Sequence, residues 1–221
     1  VKEKLRSFIF PGFEWPLLLL FMASLLLPYG RDVITINGAH HPALDFLFGT
    51  ITQLGDGLIF LPLIMILLFV RLGYALLATV VWAGHGLICL LLKRVFFFGW
   101  PRPIEVVDSN LLHFVPNITV HHFHSFPSGH TATAFCFAVL AAMLLRHKGV
   151  AILLAMLALL VGYSRVYLLQ HFLWDVAAGA FIGVVSTSVA WRAYHQRQWP
   201  AWMSSFIQVK LGRKRWKSSK V

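Results

Sequence analysis

Residues 126–145 read FPSGHTATAFCFAVLAAMLL, a polar turn that passes without a break into an apolar run. Proline suits the first turn of a helix because its missing amide would have been unpaired there, so Pro127 marks a helix start. The spacing predicts that the amides of Ser128 and Gly129 point free at that start, where the positive end of the helix dipole attracts an anion. Gly129 would let the anion approach the backbone, Ser128 would add a hydroxyl, and His130 would place a titratable proton beside it. A Pro-Ser-Gly turn is also an ordinary way to open a helix, so the rest of the chain must decide between these readings.

Of the 221 residues, 58% are hydrophobic and only 12% are charged, with a mean hydropathy of +0.74. That balance excludes a soluble domain of this length and points to an integral membrane protein. Apolar runs at about 16–29, 57–71, 73–92, 129–145, 149–164 and 175–191 approach the length needed to cross roughly 30 Å of hydrocarbon. The expected fold is all-α, a single-domain polytopic membrane bundle of about six transmembrane helices over 1–221. The first run follows VKEKLRSF without a small-residue cleavage site, so it reads as an anchor rather than a signal peptide. Cys89 and Cys136 fall inside apolar runs and are expected to be packing residues.

The net charge of +11 raises the question of nucleic acid, but its placement answers otherwise. With six spans, 14 of the 19 Lys and Arg fall on one side together with both termini. The positive-inside rule makes that side the cytoplasm. The basic tail 192–221, ending in KLGRKRWKSSK, is expected to meet anionic lipid headgroups, with no nucleic-acid partner. Arg31, Lys93, Arg94, Arg102 and Arg165 remain on the other side.

Two long loops also face that other side. In the first, Leu44, Leu47, Phe48 and Ile51 recur at helical spacing, predicting a short interfacial helix near 42–55. His40, His41 and Asp45 before and within it are open to two readings, substrate contact or helix start, of which the second is the ordinary one. The second loop carries Pro101, Pro103 and Pro116, which forbid a continuous helix, and ends at Ser128. Its irregular backbone must lie in water or around a cavity. Further on, His171 and Asp175 are four residues apart; on a helix the carboxylate would hold the imidazole Nδ1 proton and leave Nε2 free as a nucleophile. An Arg and an Asp at membrane depth are costly unless they line a polar cavity. Three separated segments thus converge cations, an anion nest, a His-Asp pair and a second His, a set suited to phosphoryl transfer.

These residues resemble the type 2 phosphatidic acid phosphatase (PAP2) superfamily. Its pattern is Lys, six residues, Arg-Pro; then Pro-Ser-Gly-His; then Ser-Arg, five residues, His, three residues, Asp. The second part stands as Pro127-Ser128-Gly129-His130, and the third as Ser164-Arg165, His171 and Asp175. The first ends in Arg102-Pro103, but eight residues separate Lys93 from Arg102 and seven separate Arg94 from it, so either cation can fill the first position. The resemblance implies that His171 attacks phosphorus, Asp175 orients it, and His130 protonates the leaving oxygen and later activates water. Lys93 or Arg94, Arg102, Ser128, the Gly129 amide and Arg165 would bind the phosphate oxygens, with no metal and no cofactor. The implied substrate is a phosphorylated lipid such as undecaprenyl pyrophosphate, phosphatidylglycerophosphate, phosphatidic acid or lipid A phosphate. It also implies a bacterial inner membrane with the site on the periplasmic side.

Rival readings are a lipid phosphotransferase using the same site and a non-catalytic lipid-phosphate binding or transport protein. His113, His121, His122 and His124 are left over. They cluster enough to raise a metal site, but no Cys or carboxylate completes a set between His121 and His130. Trp100 and Phe126 read as interface or pocket-wall residues.

Overall fold

The computed structural model describes residues 12–200 and Met203. The described residues are helical with no named strand. The helices are α1 (Glu14–Leu26), α2 (Arg31–Gly38), α3 (Pro42–Ile51), α4 (Phe60–Val70), α5 (Leu72–Leu91), α6 (Pro103–Val106), α7 (Gly129–Leu145), α8 (Lys148–Tyr167) and α9 (Leu173–Gln196). Helices satisfy every backbone group within the segment, which is why an apolar chain in lipid adopts them.

Three stretches are each long and apolar enough to cross a bilayer: Leu72–Phe96, Lys148–Tyr167 and Leu173–Gln196. The two runs nearest the N-terminus form helices too short to cross alone, each joined at an angle to a helix in the loop between them. Helix α1 has 13 residues, about 20 Å of rise, and the chain then turns by 109° into α2. Gly30 makes that turn at φ +87°, a conformation that favours glycine. Helix α4 has 11 residues and is preceded by α3 and a 3₁₀ turn at Thr52–Gly55, with a 60° bend between the two halves. Asp56, extended at the bend, accepts the Leu58 amide and restarts the helix. Counting each bent pair as one span brings the total among the described residues to at most five, beside the 17-residue α7.

The centre is α7 packed between α8 and α9. Small residues allow the close approach: Ala132, Ala138 and Ala142 of α7 are buried, as are Ala155 and Ala158 of α8 and Ala177 and Ala180 of α9. A Cβ added at Gly183 of α9 would lie 2.6 Å from the Ala132 carbonyl and 2.7 Å from Phe135 Cβ. Cys89 and Cys136 are buried free thiols. The α4–α5 hairpin packs outside this centre through Phe60, Leu67, Ala78 and Val81, and turns Leu61, Met65, Ile66 and Phe69 outward.

Helix α3 occupies the stretch expected to be an interfacial helix. Phe48 buries its ring against Tyr163 and Tyr167 of α8, whereas Phe46 and Leu47 are exposed. His41 Nδ1 accepts the Ala43 amide at 3.2 Å, so His41 is a helix start. Asp45 accepts from the Tyr167 hydroxyl and pairs with His113 at 2.9 Å. The basic region begins as helix, since α9 runs to Gln196. Lys2, Lys4 and Arg6 and the cations from Lys210 onward lie outside the described residues.

Candidate active site

The start of α7, the end of α8 and the start of α9 meet at one end of the bundle. Ser128 caps α7: its Oγ accepts the Thr131 hydroxyl at 2.9 Å and the Thr131 amide at 3.4 Å. Its own amide is not free, contrary to the sequence expectation, because it donates to the Asp175 carbonyl at 2.9 Å. That bond joins α7 to α9. Gly129, as first residue of α7, has an amide that the helix cannot use. Chain neighbours and its own helix backbone apart, no described atom lies within 4 Å of where its Cβ would stand, so that side of Gly129 is open.

His171 precedes α9 rather than lying on it, which corrects the picture of two residues sharing a helix face. The chain leaves α8 in a tight reversal, with the amides of Gln170 and His171 both donating to the Arg165 carbonyl at 2.9 and 3.2 Å. Asp175 then reaches back as a capping residue. Its Oδ2 accepts the Phe172 amide at 2.9 Å and the Ser125 hydroxyl, and lies 3.4 Å from His171 Nδ1. Ser125 Oγ is 3.5 Å from the same nitrogen. A second carboxylate holds this turn from afar: buried Asp32 of α2 accepts the Gly30 amide at 3.0 Å and the Leu173 amide at 2.7 Å. With Nδ1 turned to Asp175 and Ser125, Nε2 is the ring nitrogen left over.

Burial pushes the His171 pKa well below its ordinary value, and the charges of Lys93, Arg102 and Arg165 and the His130 ring push the same way. The imidazole is therefore neutral, as a nitrogen nucleophile must be. Those couplings also show which predicted residues the fold brings together around His171.

Each cation is fixed through a different contact. Arg102 donates from Nε to the Phe123 carbonyl at 3.0 Å and from Nη1 to both oxygens of Gln170 at 2.9 Å. Its loop pairs with the histidine loop, the Arg102 amide donating to His122 and the Ser125 amide to Trp100. The same pairing sets Ser125 beside Asp175. Burial, the largest influence, lowers the Arg102 pKa, and Asp175 opposes it. Arg165 donates from Nη1 to Thr52 Oγ1 at 2.6 Å, while its buried Nε has no partner among the described residues.

Lys93 and Arg94 sit in a π turn, Leu92–Phe96, that ends α5. A π turn holds one more residue than an α turn, so it takes up part of the extra length between these cations and Arg102. Lys93 Nζ donates to the His124 carbonyl at 3.1 Å and its charge acts on His171. Arg94 is exposed and its Nη1 lies 3.4 Å from His124 Nε2. The fold therefore turns Lys93, and not Arg94, toward the cluster.

Ser125, Gln170, Thr52 and Asp32 were not legible as site residues. Ser125 stands between His124 and Phe126, but nothing in its spacing pointed to Asp175. Among the described residues, no three His, Cys, Asp or Glu side chains form a candidate metal set. His122 pairs with Glu105, and His113 with Asp45. Trp100 and Phe126 join Phe97 in an aromatic cluster beside the loop.

A buried neutral imidazole with cations acting on it, at the end of a membrane helical bundle, suits phosphoryl transfer to or from a lipid headgroup. Residues 58–199 match the model of the PAP2 superfamily, and the chain belongs to that superfamily. It is 35% identical over 158 residues to phosphatidylglycerophosphatase B of Bacillus subtilis, covering 65% of this chain and 72% of that one. It is 36% identical over 112 residues to lipid A 1-phosphatase of Rhizobium etli, covering 51% of this chain and 46% of that one. The crystal structure of Aquifex aeolicus LpxE superposes with a TM-score of 0.64 at 30% identity, over 72% of this chain and 92% of that one. The protein is an integral-membrane phosphatase.

Proposed function

We propose that the protein hydrolyses a phosphate monoester or pyrophosphate on a membrane lipid through a phosphohistidine intermediate. His171 Nε2 attacks phosphorus and the bond to the leaving oxygen breaks, while His130 gives that oxygen a proton. His130 then takes a proton from water, whose oxygen attacks phosphorus; the N–P bond breaks and inorganic phosphate leaves. Asp175 and Ser125 hold Nδ1. Lys93, Arg102, Arg165 and the Gly129 amide neutralise the phosphate oxygens as charge develops. Ser128 acts mainly by capping α7 and adds at most its hydroxyl proton.

The observation that carries this reading is the placement of His171: buried, neutral, with Nδ1 engaged and three cations acting on it. A binding protein needs the cations but no oriented nucleophile. Relatives named for phosphatidylglycerophosphate and lipid A support a lipid substrate. We place the protein in a bacterial inner membrane with the site on the periplasmic face and both termini in the cytoplasm. The charge bias of the sequence supports that orientation.

The test is inorganic phosphate release by detergent-purified protein, with EDTA present, across the four lipids named above, and His171→Ala as the blank. Release from at least one lipid, abolished in the variant, is the expected result. Release that persists in His171→Ala would overturn the mechanism.

A further inference from the structure

Beside the phosphate cluster lies a cavity of about 460 Å³ whose walls include Lys93, Arg94, Arg102, His121, His122 and His124. Two of these, Lys93 and Arg102, carry charges that also act on His171, and Arg102 bonds Gln170 next to it. The cavity therefore shares two cations with the cluster. Its walls carry three cations and no carboxylate. A single phosphate at His171 would have Lys93, Arg102 and Arg165 to neutralise it, so Arg94 adds a charge that one phosphate does not require.

His124 is held in an unusual way. Its backbone has φ +61°, a left-handed conformation uncommon for a side chain-bearing residue. Its carbonyl accepts from Lys93, and its Nε2 lies 3.4 Å from Arg94 Nη1. A guanidinium can only donate, so Nε2 is the acceptor and the ring proton sits on Nδ1. That nitrogen is buried and has no partner among the described residues. A strained residue with an unmet donor, fixed between two cations at a cavity wall, is the kind of cost found at binding sites. His121 completes the wall. Burial and the charges of Arg102, Arg165 and Lys93 lower its pKa, so it is a neutral imidazole that can donate one hydrogen bond. His122 is held by Glu105.

We propose that this cavity is a second anion subsite, in which Arg94, supported by His121 and His124, holds a further phosphate of the headgroup while Lys93 and Arg102 face the scissile one. The inference rests on the phosphatase reading and sharpens it: the preferred lipid carries two phosphates close together. They are either the two of a diphosphate or two on neighbouring carbons, which present the same paired anions.

Three lipids with one alkyl chain test this: the monophosphate, the diphosphate and the vicinal bisphosphate. Wild-type kcat/KM for one doubly phosphorylated lipid should exceed that for the monophosphate by about tenfold or more, and the better of the two names the source. In Arg94→Gln the ratio should fall to about two or less, through KM. In parallel, calorimetry with inorganic pyrophosphate and inorganic phosphate should show tighter pyrophosphate binding, with the advantage lost in Arg94→Gln. No preference in the wild type, or a preference that survives the substitution in both assays, overturns the subsite. If no lipid is cleaved, the phosphatase reading fails by itself, and the pyrophosphate comparison still decides the subsite. Arg94 is exposed, and a single detergent gel-filtration peak checks that the variant is folded.

Discussion

The α7–α8–α9 centre and the α4–α5 hairpin are made from much the same apolar residues, yet the centre holds the His171–Asp175 pair while the hairpin adds only the cations of the turn that ends α5. In the centre, alanines and glycines bring backbones together, and polar groups at the helix ends bond across the gaps: Ser128 to Asp175, Ser125 to Asp175, Asp32 to Leu173. In the hairpin, α4 is built of large side chains and turns many of them outward. The difference teaches that a catalytic end of a membrane bundle depends on close backbone approach, because only that lets short polar side chains reach each other out of water.

The widest separation between the two regions comes from bulk. Gly183→Val places carbon against the Ala132 carbonyl and Phe135, backbone that cannot swing away. The protein should lose its single gel-filtration peak and all activity together. A folded, active variant would mean that the centre is looser than described. Next is charge at the centre: Asp175→Asn should lower kcat on the order of 10⁴-fold, by analogy with the loss seen when a His-orienting carboxylate is neutralised, while the protein stays folded.

Asp32→Ala is a smaller perturbation. It leaves the Leu173 amide without its acceptor, which should cost about 1–3 kcal/mol of stability and reduce kcat more than it raises KM. Thermal unfolding and kinetics on the same preparation check both. A lowered Tm with unchanged kcat would make Asp32 a structural residue only. A subtler effect is the titration of His171. Its folded pKa lies below the ordinary histidine value, so protonation is displaced to lower pH and the ring stays neutral through pH 6.5. NMR of ¹³Cε1-labelled histidines, assigned by His171→Gln, should show that resonance unmoved between pH 8 and 6. Smallest is Phe69→Ala on the outward face of α4, expected to change stability within about 0.5 kcal/mol. A larger loss would mean that the hairpin face is covered by more than lipid.

The sequence read unevenly for definite reasons. The stretches ending in α8 and α9 were legible from apolar length, because a helix in lipid needs little else. The breaks at Gly30 and Asp56 fall at the ends of the first two apolar runs and were legible as boundaries, but the angles there, 109° and 60°, were not, since hydropathy carries no direction. The motif residues were legible because Ser128 to His130 and Arg165 to Asp175 are set by local spacing. Asp32, Thr52, Ser125 and Gln170 act through contacts made by distant segments, which leave no local pattern. The ambiguity of Lys93 and Arg94 had the same root. Only the π turn fixes which of them faces the cluster.

The most direct test of the central claim, that His171 carries the phosphoryl group, is rapid quench of the wild-type enzyme with a ³²P-labelled lipid substrate, followed by mass spectrometry. An acid-labile, base-stable phosphoryl adduct on His171, formed within the first turnover and absent in His171→Gln, is the expected result. An adduct on another residue, or first-turnover phosphate release that persists in His171→Gln, would contradict it.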